Sequence, residues 1–415
     1  MRVLFRALKF LLFGFLFFIS FFSGLAQVKK KKAVFIIVDG ISADVLEKQN
    51  TPNLKKIAAA SGYTRAHVGG ERGGYSETPT ISAVGYNSLL TGTWVNKHNV
   101  WDNEIAAPNY FYPTIFCYFE TQYPDKKTAI FSTWLDNRTK LVGEGLPQTQ
   151  NIKLDYHFDG LEQDTVKFPH DKESDYIHRI DEHVANEAAR YIRAEAPDLS
   201  WVYLEYPDDM GHRYGDGEKM YRAIEMADDQ IGRIWQAIEH RQQNYSEDWL
   251  IVITTDHGRD SQGKGHGGQS DRERTTWMVT NAKNLNARFQ QNPGVVDIMP
   301  SLARFLNITI PPENEKEIDG VPFIGKISIA QPTAVYHAGQ IAVSWQALES
   351  KGKVKIWVTT TNNYKTGGKD KYTLLKEVDL KDKKASLNVK FIPSDYYKIV
   401  LEAPLNTVNK WVVIK

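Results

Sequence analysis

Cysteine is nearly absent from this sequence, because Cys117 is the only one among 415 residues. A single cysteine excludes an intramolecular disulfide and a metal site built from cysteines. An excess of positive charge is also missing, since 51 basic residues stand against 50 acidic ones. This balance argues against binding to duplex nucleic acid or to an anionic membrane surface. An acidic substrate would therefore have to be held locally, by metal ions or by a few side chains.

Long apolar runs are scarce apart from residues 10–22, close to the N-terminus. This run follows a positively charged start and precedes the small residues Gly24 and Ala26, which is the pattern of a signal peptide. The run is short for a membrane span. We therefore expect residues 1–26 to be cleaved, with no membrane span afterwards, and an uncleaved anchor is the alternative. Export without disulfides favours the periplasm or cell envelope of a bacterium.

Three apolar runs, at 33–38, 201–206 and 249–255, each end close to an aspartate. Runs that are apolar on both faces are typical of buried parallel strands. Amphipathic helical patterns at 181–194 and 218–240 separate them. This order predicts an α/β fold, namely a doubly wound, mostly parallel sheet with helices on both faces. The aspartates would then meet at the carboxyl edge of the sheet, where such folds bind ligands.

The last part of the chain has a different pattern of short, alternating segments, for example 341–345 and 354–360. Several short strands separated by turn residues predict a small β-sandwich of the fibronectin or immunoglobulin type. We place it at 333–415, after a catalytic domain at 33–326 and a linker at about 326–333. Further candidate strands lie at 372–379, 385–391, 397–402 and 410–414.

Carboxylates and imidazoles recur at spacings that suit a metal site. Asp208 and His212 are four residues apart. Asp256 and His257 are adjacent at a strand end, and His266 lies in a glycine-rich loop. Mixed histidine and aspartate ligands suit zinc, with manganese as the second choice. The alternative for each strand-end aspartate is that it only caps a helix. The candidates are Asp39, Asp208, His212, Asp256, His257 and His266.

Residues 78–92 begin as a loop and continue as an apolar helix, with Ser82 close to the start. A hydroxyl at a helix N-terminus faces free backbone N–H groups, which favour an anion. Ser82 is therefore the candidate nucleophile. The alternative is that Ser82 or Thr80 merely caps the helix.

Several short motifs together resemble the type I phosphodiesterase/nucleotide pyrophosphatase branch of the alkaline phosphatase superfamily. The resemblance covers roughly residues 33–325 and implies the fold of that superfamily. It also implies an enzyme that hydrolyses phosphate esters with two divalent metal ions. The motifs are Val38-Asp39-Gly40, Thr51-Pro52-Asn53-Leu54, Ser82 with Leu90-Thr91-Gly92, Asn99 to Asn103, Asp208 to His212, Thr255-Asp256-His257-Gly258, and Asp297 to Leu306.

The resemblance also implies a role for each matching residue. One metal ion would be held by Asp39, Asp256, His257 and the oxygen of Ser82. The other would be held by Asp208, His212 and His266. Asn103 would hydrogen-bond a phosphoryl oxygen, and attack by Ser82 would give a phosphoserine intermediate. Zinc is the expected metal, and manganese or magnesium are compatible. The substrate would be a small-molecule phosphate ester; a monoester, a diester and a phosphonate stay open, as does the oligomeric state.

Ser82 departs from the family's pattern, and the segment around it leaves rival hypotheses open. The family usually has threonine at this position, and Ser-Ala-Val-Gly is similar to the nucleophile segment of cofactor-independent phosphoglycerate mutases. Those mutases carry a large insertion that is missing here. A sulfatase of the same superfamily is the enzyme alternative, but it needs a Cys/Ser-x-Pro-x-Arg motif that Ser82 does not begin. A non-catalytic envelope protein that binds metal or glycans is the alternative of another class.

Further residues near these motifs have two interpretations each. Arg259 and Lys264 either contact a substrate anion or have a structural role. Tyr75, Tyr86 and Trp101 either line a pocket or belong to the core.

Overall fold

The computed structural model describes residues 29–414. The expected signal peptide at 1–26 lies outside the described residues. Within residues 29–414, none of the helices has the length and apolar character that crossing a bilayer requires.

The main sheet has the strand order β2-β7-β6-β1-β5-β3-β4. Strand β1 pairs in parallel with β5 and β6, and β3 pairs in parallel with β4 and β5. Strands β2 and β7 add antiparallel pairs at one side. The prediction of a mostly parallel sheet is therefore confirmed. The strands are β1 Lys30–Val38, β2 Gly62–His67, β3 Thr128–Ser132, β4 Tyr156–Phe158, β5 Leu199–Leu204, β6 Glu247–Thr254 and β7 Thr275–Thr280.

Helices cover both faces of this sheet, as the pattern predicted. Alternate side chains of β1 point to opposite faces, so Val34, Ile36 and Val38 pack with helices α6 and α8. Phe35 and Ile37 pack on the other side with α3, α5 and α10. The helices are α1 Ala43–Leu46, α2 Pro52–Ala60, α3 Ser82–Thr91, α4 Val95–His98, α5 Ile115–Gln122, α6 Asp175–Glu195, α7 Tyr206–Tyr214, α8 Glu218–Asn244, α9 Asp271–Arg274, α10 Ile298–Leu306 and α11 Pro312–Glu315. Shorter 3-10 turns cover Pro147–Thr149, Leu161–Gln163, Ala287–Gln290, Val295–Asp297, Asn363–Thr366 and Leu380–Asp382, and a π-helical turn covers Asn137–Val142.

The register of the central strands brings three chain segments to one edge of the sheet. Val38, the last residue of β1, lies opposite Leu204 in β5. Ile37 lies opposite Thr254 at the end of β6. The residues that follow these strands therefore emerge side by side, at the carboxyl edge where ligands bind in such sheets.

The C-terminal part forms two antiparallel sheets that share one apolar core. The sheets have the orders β11-β10-β13-β14 and β12-β9-β8. Ile341 and Trp345 of β9 face Ile356 of β10 and Ile399 of β13 in that core. The strands are β8 Ile329–His337, β9 Gln340–Ala347, β10 Lys353–Thr359, β11 Thr373–Asp379, β12 Lys384–Asn388, β13 Tyr396–Glu402 and β14 Thr407–Val413.

Strand β8 corrects the expectation of a linker at 326–333. Its first residues, Ile329 and Ala330, are fully buried in the core of the C-terminal sheets. The pairing of β8 with β9 shifts register between Ala330 and Thr333, and Gln331 has a φ of 49°. This irregular start, around Pro332, explains why the segment lacks the alternation of a strand. The division into domains at 33–326 and 333–415 stays a prediction.

A buried network of charges joins the C-terminal sheets to the segment after α3. Lys97 Nζ donates to the Glu317 carbonyl oxygen at 2.6 Å, to Asp319 Oδ1 at 2.6 Å and to Asn409 Oδ1 at 3.1 Å. Lys398, in β13, pairs with the Glu317 carboxylate. Ionised groups are tolerated at such depth only when they are paired, so these contacts fix how the sheets sit on the main body.

Candidate active site

Asp39 follows β1 directly and is held by two tyrosines. Its Oδ2 accepts hydrogen bonds from the hydroxyls of Tyr203, at 2.7 Å, and Tyr86. Its Oδ1 is buried and has no hydrogen-bond partner among residues 29–414. A buried carboxylate oxygen without a partner is costly, so this atom is a candidate metal ligand.

Asp256 and His257 follow β6 and face Asp39. Asp256 Oδ1 accepts from the backbone N–H of Gly40 at 3.2 Å, whereas its Oδ2 has no hydrogen-bond partner within the described part of the chain. His257 Nδ1 lies 2.9 Å from the carbonyl oxygen of Gly258. A carbonyl only accepts, so Nδ1 carries a proton, and in the neutral ring the lone pair lies on Nε2, which points into the site.

The Nε2 atom of His257 is the centre of the first group of donors. It lies 3.3 Å from Asp39 Oδ1, 3.3 Å from Asp256 Oδ2 and 3.3 Å from Ser82 Oγ. Both carboxylate oxygens in this group are the ones that lack partners. Two carboxylates, one imidazole and one hydroxyl form a donor set that suits a divalent cation. The residues at this position therefore fit a metal ion.

Ser82 is the first residue of α3, as the sequence predicted for the nucleophile. The free N–H groups of this helix end favour an anion beside the hydroxyl. One of them, on Ala83, donates to Asn103 Oδ1 at 3.0 Å. This bond holds Asn103 against the helix, where Asn103 lines the same cavity as Ser82.

Asp208, His212 and His266 form the second group. Asp208 and His212 are one turn apart on α7, so both project from one face of that helix. His212 Nε2 lies 3.2 Å from Asp208 Oδ2 and 3.0 Å from His266 Nε2. His266 Nδ1 lies 2.8 Å from the Thr80 carbonyl oxygen, so the lone pair of this ring is also on Nε2. These nitrogens and the carboxylate oxygen converge as zinc ligands do.

The two groups are neighbours in space. The rings of His257 and His266 stack with centroids 3.7 Å apart. Asp208 Oδ1 lies 3.9 Å from His257 Nε2. Ligand atoms of Asp39, Asp256 and His257 lie within 4.8 Å of one another, and so do those of Asp208, His257 and His266. His257 thus belongs to both sets and links the two groups. All seven residues predicted as metal ligands are thus brought together at the carboxyl edge of the sheet.

The charged groups of the site shift one another's pKa values. Burial, reinforced by Asp39, raises the pKa of Asp256 well above its usual range. Burial alone would lower the pKa of His257, but Asp256 and Asp39 raise it to about 9. Burial and the neighbouring His257 lower the pKa of His266 to about 4. These shifts show an excess of negative charge around His257, which a cation would offset.

Arg259 does not face the substrate cavity. Its side chain is fully buried, and its guanidinium pairs with the Asp208 carboxylate. Burial would raise the pKa of Asp208, but the Arg259 charge holds it well below its usual range. The contacts of Arg259 therefore do not support a direct contact with a substrate anion. Lys264 is exposed, and its carbonyl oxygen accepts from Arg259 at 3.0 Å.

A cavity of about 120 Å³ opens beside Ser82. Three of its lining residues, Trp134, Tyr203 and Glu205, belong to no recognisable motif, although the last two lie within the apolar run predicted as a strand at 201–206. Tyr86 lines this cavity and is also fully buried. Of the other aromatics that were singled out, Trp101 is half exposed and Tyr75 stacks on Trp411 of the C-terminal sheet. The lining residues are Asp39, Ser82, Tyr86, Asn103, Trp134, Tyr203, Glu205 and Asp208.

Comparison with known proteins identifies the family of this chain. The sequence model of the family described as "Type I phosphodiesterase / nucleotide pyrophosphatase" matches residues 33–384. The chain therefore belongs to the type I phosphodiesterase/nucleotide pyrophosphatase family. The match continues past residue 325, where the motifs end, and extends into the C-terminal sheets.

Curated relatives share the family but are much longer. "Venom phosphodiesterase CdcPDE" of Crotalus durissus collilineatus is 24% identical over 250 residues, which are 56% of this chain and 27% of that protein. "Ectonucleotide pyrophosphatase/phosphodiesterase family member 3" of Rattus norvegicus is 26% identical over 280 residues, which are 63% of this chain and 27% of that protein. The chain thus matches only about a quarter of the length of these relatives.

A solved structure supports the fold. The protein Ps i-CgsB, in complex with k-i-k-neocarrahexaose, aligns with a TM-score of 0.50 and 14% identity over 77% of this chain and 82% of that one. At this identity the likeness concerns the fold alone.

Proposed function

We propose that this protein hydrolyses phosphate esters of small molecules, as a phosphodiesterase, nucleotide pyrophosphatase or phosphatase, with Ser82 as the nucleophile. The observation that carries the proposal is the position of Ser82 Oγ, at a helix N-terminus and 3.3 Å from His257 Nε2. Around that nitrogen lie two carboxylate oxygens that lack hydrogen-bond partners within residues 29–414. Family membership supports the same chemistry.

Two divalent cations are part of the proposal. Asp39, Asp256, His257 and Ser82 would hold one, and Asp208, His212 and His266 the other. The mixed nitrogen and oxygen donors favour zinc, with manganese or magnesium as alternatives. Such ions, when bound, lower the pKa of an oxygen ligand and neutralise charge that develops on the phosphoryl group.

The proposed reaction consists of two successive displacements at phosphorus. Ser82 Oγ gives its proton to solvent water and attacks phosphorus in line, so the Oγ–P bond forms while the bond from phosphorus to the leaving oxygen breaks. The leaving group departs and takes a proton from solvent water. The N–H groups at the start of α3 other than that of Ala83, together with Asn103 Nδ2, donate to the phosphoryl oxygens. Water next attacks phosphorus and breaks the Oγ–P bond of the phosphoserine intermediate; the phosphate leaves with the water oxygen, and Ser82 Oγ regains a proton.

A pair of substitutions at Ser82 tests this proposal. Ser82→Ala should abolish nearly all turnover while the protein still binds metal, because the other ligands remain. Ser82→Thr keeps a hydroxyl at the same place and should retain measurable activity. If the alanine variant turns over at close to the wild-type rate, the nucleophile has been assigned wrongly.

A substrate panel identifies the ester class. We would compare p-nitrophenyl phosphate, bis-p-nitrophenyl phosphate, p-nitrophenyl phenylphosphonate and p-nitrophenyl sulfate, with zinc or manganese supplied. Phosphorus esters should be preferred. Preference for the sulfate would favour a sulfatase. Metal binding without turnover of any of the four would favour a non-catalytic protein.

Export to the periplasm or cell envelope of a bacterium is a further part of the proposal, and it depends on residues 1–26. Sequencing the N-terminus of protein recovered from the producing cell tests it. A chain that starts after residue 26 supports cleavage, and a chain that retains the apolar run contradicts it.

A further inference from the structure

Arg259 is a cation that is completely buried beside the candidate metal site. Its exposed fraction is 0%. Arginine is almost never buried to this extent unless it is paired. The residue immediately follows Asp256-His257-Gly258, yet its side chain turns away from the cavity that Ser82 lines. Its contacts therefore indicate what it does.

The guanidinium of Arg259 contacts three separate segments of the chain. Nε donates to the Gly40 carbonyl oxygen at 2.8 Å, in the turn that follows Asp39. Nη1 donates to the Lys264 carbonyl oxygen at 3.0 Å, in the loop that leads to His266. Nη2 donates at 2.6 Å to the carbonyl oxygen of Asp208. Each of these segments carries a proposed metal ligand.

The same Nη2 also pairs with Asp208 Oδ1. The other oxygen of that carboxylate, Oδ2, lies 3.2 Å from His212 Nε2 and so faces the second group of ligands. A planar guanidinium presents its donors in a fixed geometry, which an ammonium does not. Arg259 thus binds Oδ1 of Asp208 and orients Oδ2 toward the His212 imidazole.

Neighbouring glycines make room for this arrangement. A Cβ atom on Gly211, which lies in α7 between Asp208 and His212, would overlap the Arg259 guanidinium. A Cβ atom on Gly40 would collide with both Arg259 and Asp208. Glycine in the interior of a helix lowers its stability by about 1 kcal/mol relative to alanine. Gly211 therefore destabilises α7 but leaves space for the Arg259 guanidinium.

We propose that Arg259 is a positioning residue for the second metal site, because it fixes the Asp208 carboxylate and the segments that carry Asp39 and His266. The inference rests on the proposed two-metal function. It does not make Arg259 a group that touches substrate. Residues that orient metal ligands in this way typically change metal affinity by about 10- to 100-fold when they are replaced.

The test measures zinc binding rather than turnover alone. We would titrate zinc into metal-free wild-type protein and into Arg259→Lys, which keeps the charge but loses the planar fork. The second zinc equivalent should bind about 10- to 100-fold more weakly to Arg259→Lys, and the first should change less. High zinc concentration should restore much of the variant's activity, since ligand placement rather than the nucleophile is altered.

Arg241→Lys is the matched control. Arg241 is also buried and pairs with Glu247 through Nε at 3.0 Å and Nη2 at 2.6 Å. Glu247 begins β6, at the opposite end from Asp256. Arg241→Lys should therefore lower the melting temperature without changing the affinity for either zinc equivalent.

Gly211→Ala provides a second variant in case Arg259→Lys does not fold. The added methyl group favours the helix but pushes against Arg259, so it should weaken the second zinc equivalent by about 10-fold or more. A purely structural role for Arg259 predicts unchanged zinc affinity in both variants, and that result would overturn the inference. If the wild-type protein itself binds fewer than two zinc equivalents, the proposed two-metal function fails instead.

Discussion

His212 and His266 point their Nε2 atoms at each other across 3.0 Å, although they lie 54 positions apart in the chain. The Thr80 carbonyl oxygen, 2.8 Å from His266 Nδ1, places the ring proton of His266 on that side. Nitrogen lone pairs that converge beside a carboxylate are arranged to share a cation.

Replacing His266 by alanine should therefore remove one metal ion and leave the other. We expect about one zinc equivalent instead of two, together with a loss of activity of at least about 100-fold, because a bound cation contributes several kcal/mol to stabilising the transition state. Metal analysis of the dialysed protein and initial rates on a phosphodiester measure both effects.

His240→Ala is the control for that experiment. His240 lies near the end of α8, outside the segments that carry the ligands, and its Nδ1 accepts from Asn244 Nδ2 at 3.2 Å, one turn later. Zinc content and rate should match those of the wild-type protein. Two zinc equivalents in His266→Ala would contradict the assignment of His266 as a ligand.

Asn103 should contribute to the rate rather than to metal binding. Its Oδ1 accepts from Ala83 N–H at 3.0 Å, which leaves the Nδ2 group for a phosphoryl oxygen. Removing one such preorganised donor typically costs about 10²- to 10³-fold in kcat. We expect Asn103→Ala to lose activity in this range while it retains two zinc equivalents. An unchanged kcat would show that Asn103 only supports the helix end.

Lys97 should be important for stability. Its ammonium is completely buried and pairs with Asp319 Oδ1 at 2.6 Å. Removing one partner of a buried pair leaves an uncompensated charge, which costs about 3–5 kcal/mol. Lys97→Met should therefore lower the free energy of unfolding by about that amount, as measured by denaturant titration.

Lys56→Met is the matched control for Lys97→Met. Lys56 pairs with Glu239 at 2.8 Å, but its side chain is 56% exposed. Exposed pairs contribute about 0–1 kcal/mol, so this variant should unfold close to the wild-type midpoint. Equal effects of the two substitutions would refute the role given to the buried network.

Asp181 should make stability depend on pH. The carboxylate accepts from the backbone N–H groups of Glu205 and Tyr206, and burial raises the pKa of Asp181 to about 7 from 3.8. A raised carboxyl pKa means that the folded protein binds the proton more tightly than the unfolded chain does. The contribution of Asp181 to stability is thus fully present below about pH 4 and is lost as the pH rises through about 7.

Asp181→Asn resembles the protonated acid at every pH. The variant should therefore gain stability relative to the wild-type protein as the pH rises from about 4 to about 8. Taking the difference between the two proteins removes the contributions of other titrating groups. A difference in the free energy of unfolding that does not vary with pH would show that Asp181 titrates normally.

The main sheet could be predicted because its strands are apolar on both faces. The runs that became β1, β5 and β6 have few polar residues, and a buried parallel sheet accounts for them simply. The strand-end aspartates then followed from topology, since parallel strands deliver their carboxyl ends to one edge. Strand β8 could not be predicted because its irregular start around Pro332 has neither a continuous apolar run nor alternation.

Contacts between side chains that are distant in the sequence could not be predicted from local sequence patterns. The sequence shows that Arg259 follows Asp256-His257-Gly258. It does not show that the Arg259 guanidinium pairs with Asp208, 51 positions earlier. The hydroxyl of Tyr203 is bonded to Asp39 only because β5 and β1 are adjacent and in register. Such pairs depend on the packed fold, and a single sequence contains no record of them.

Zinc-edge anomalous diffraction from crystals grown with zinc would locate the metal ions relative to Ser82. We expect two anomalous peaks about 3.5–4 Å apart, as in other two-metal sites. One should contact Ser82 Oγ together with Asp39, Asp256 and His257, and the other should contact Asp208, His212 and His266. A Ser82 hydroxyl with no metal peak beside it would show that Ser82 is not activated by a bound cation.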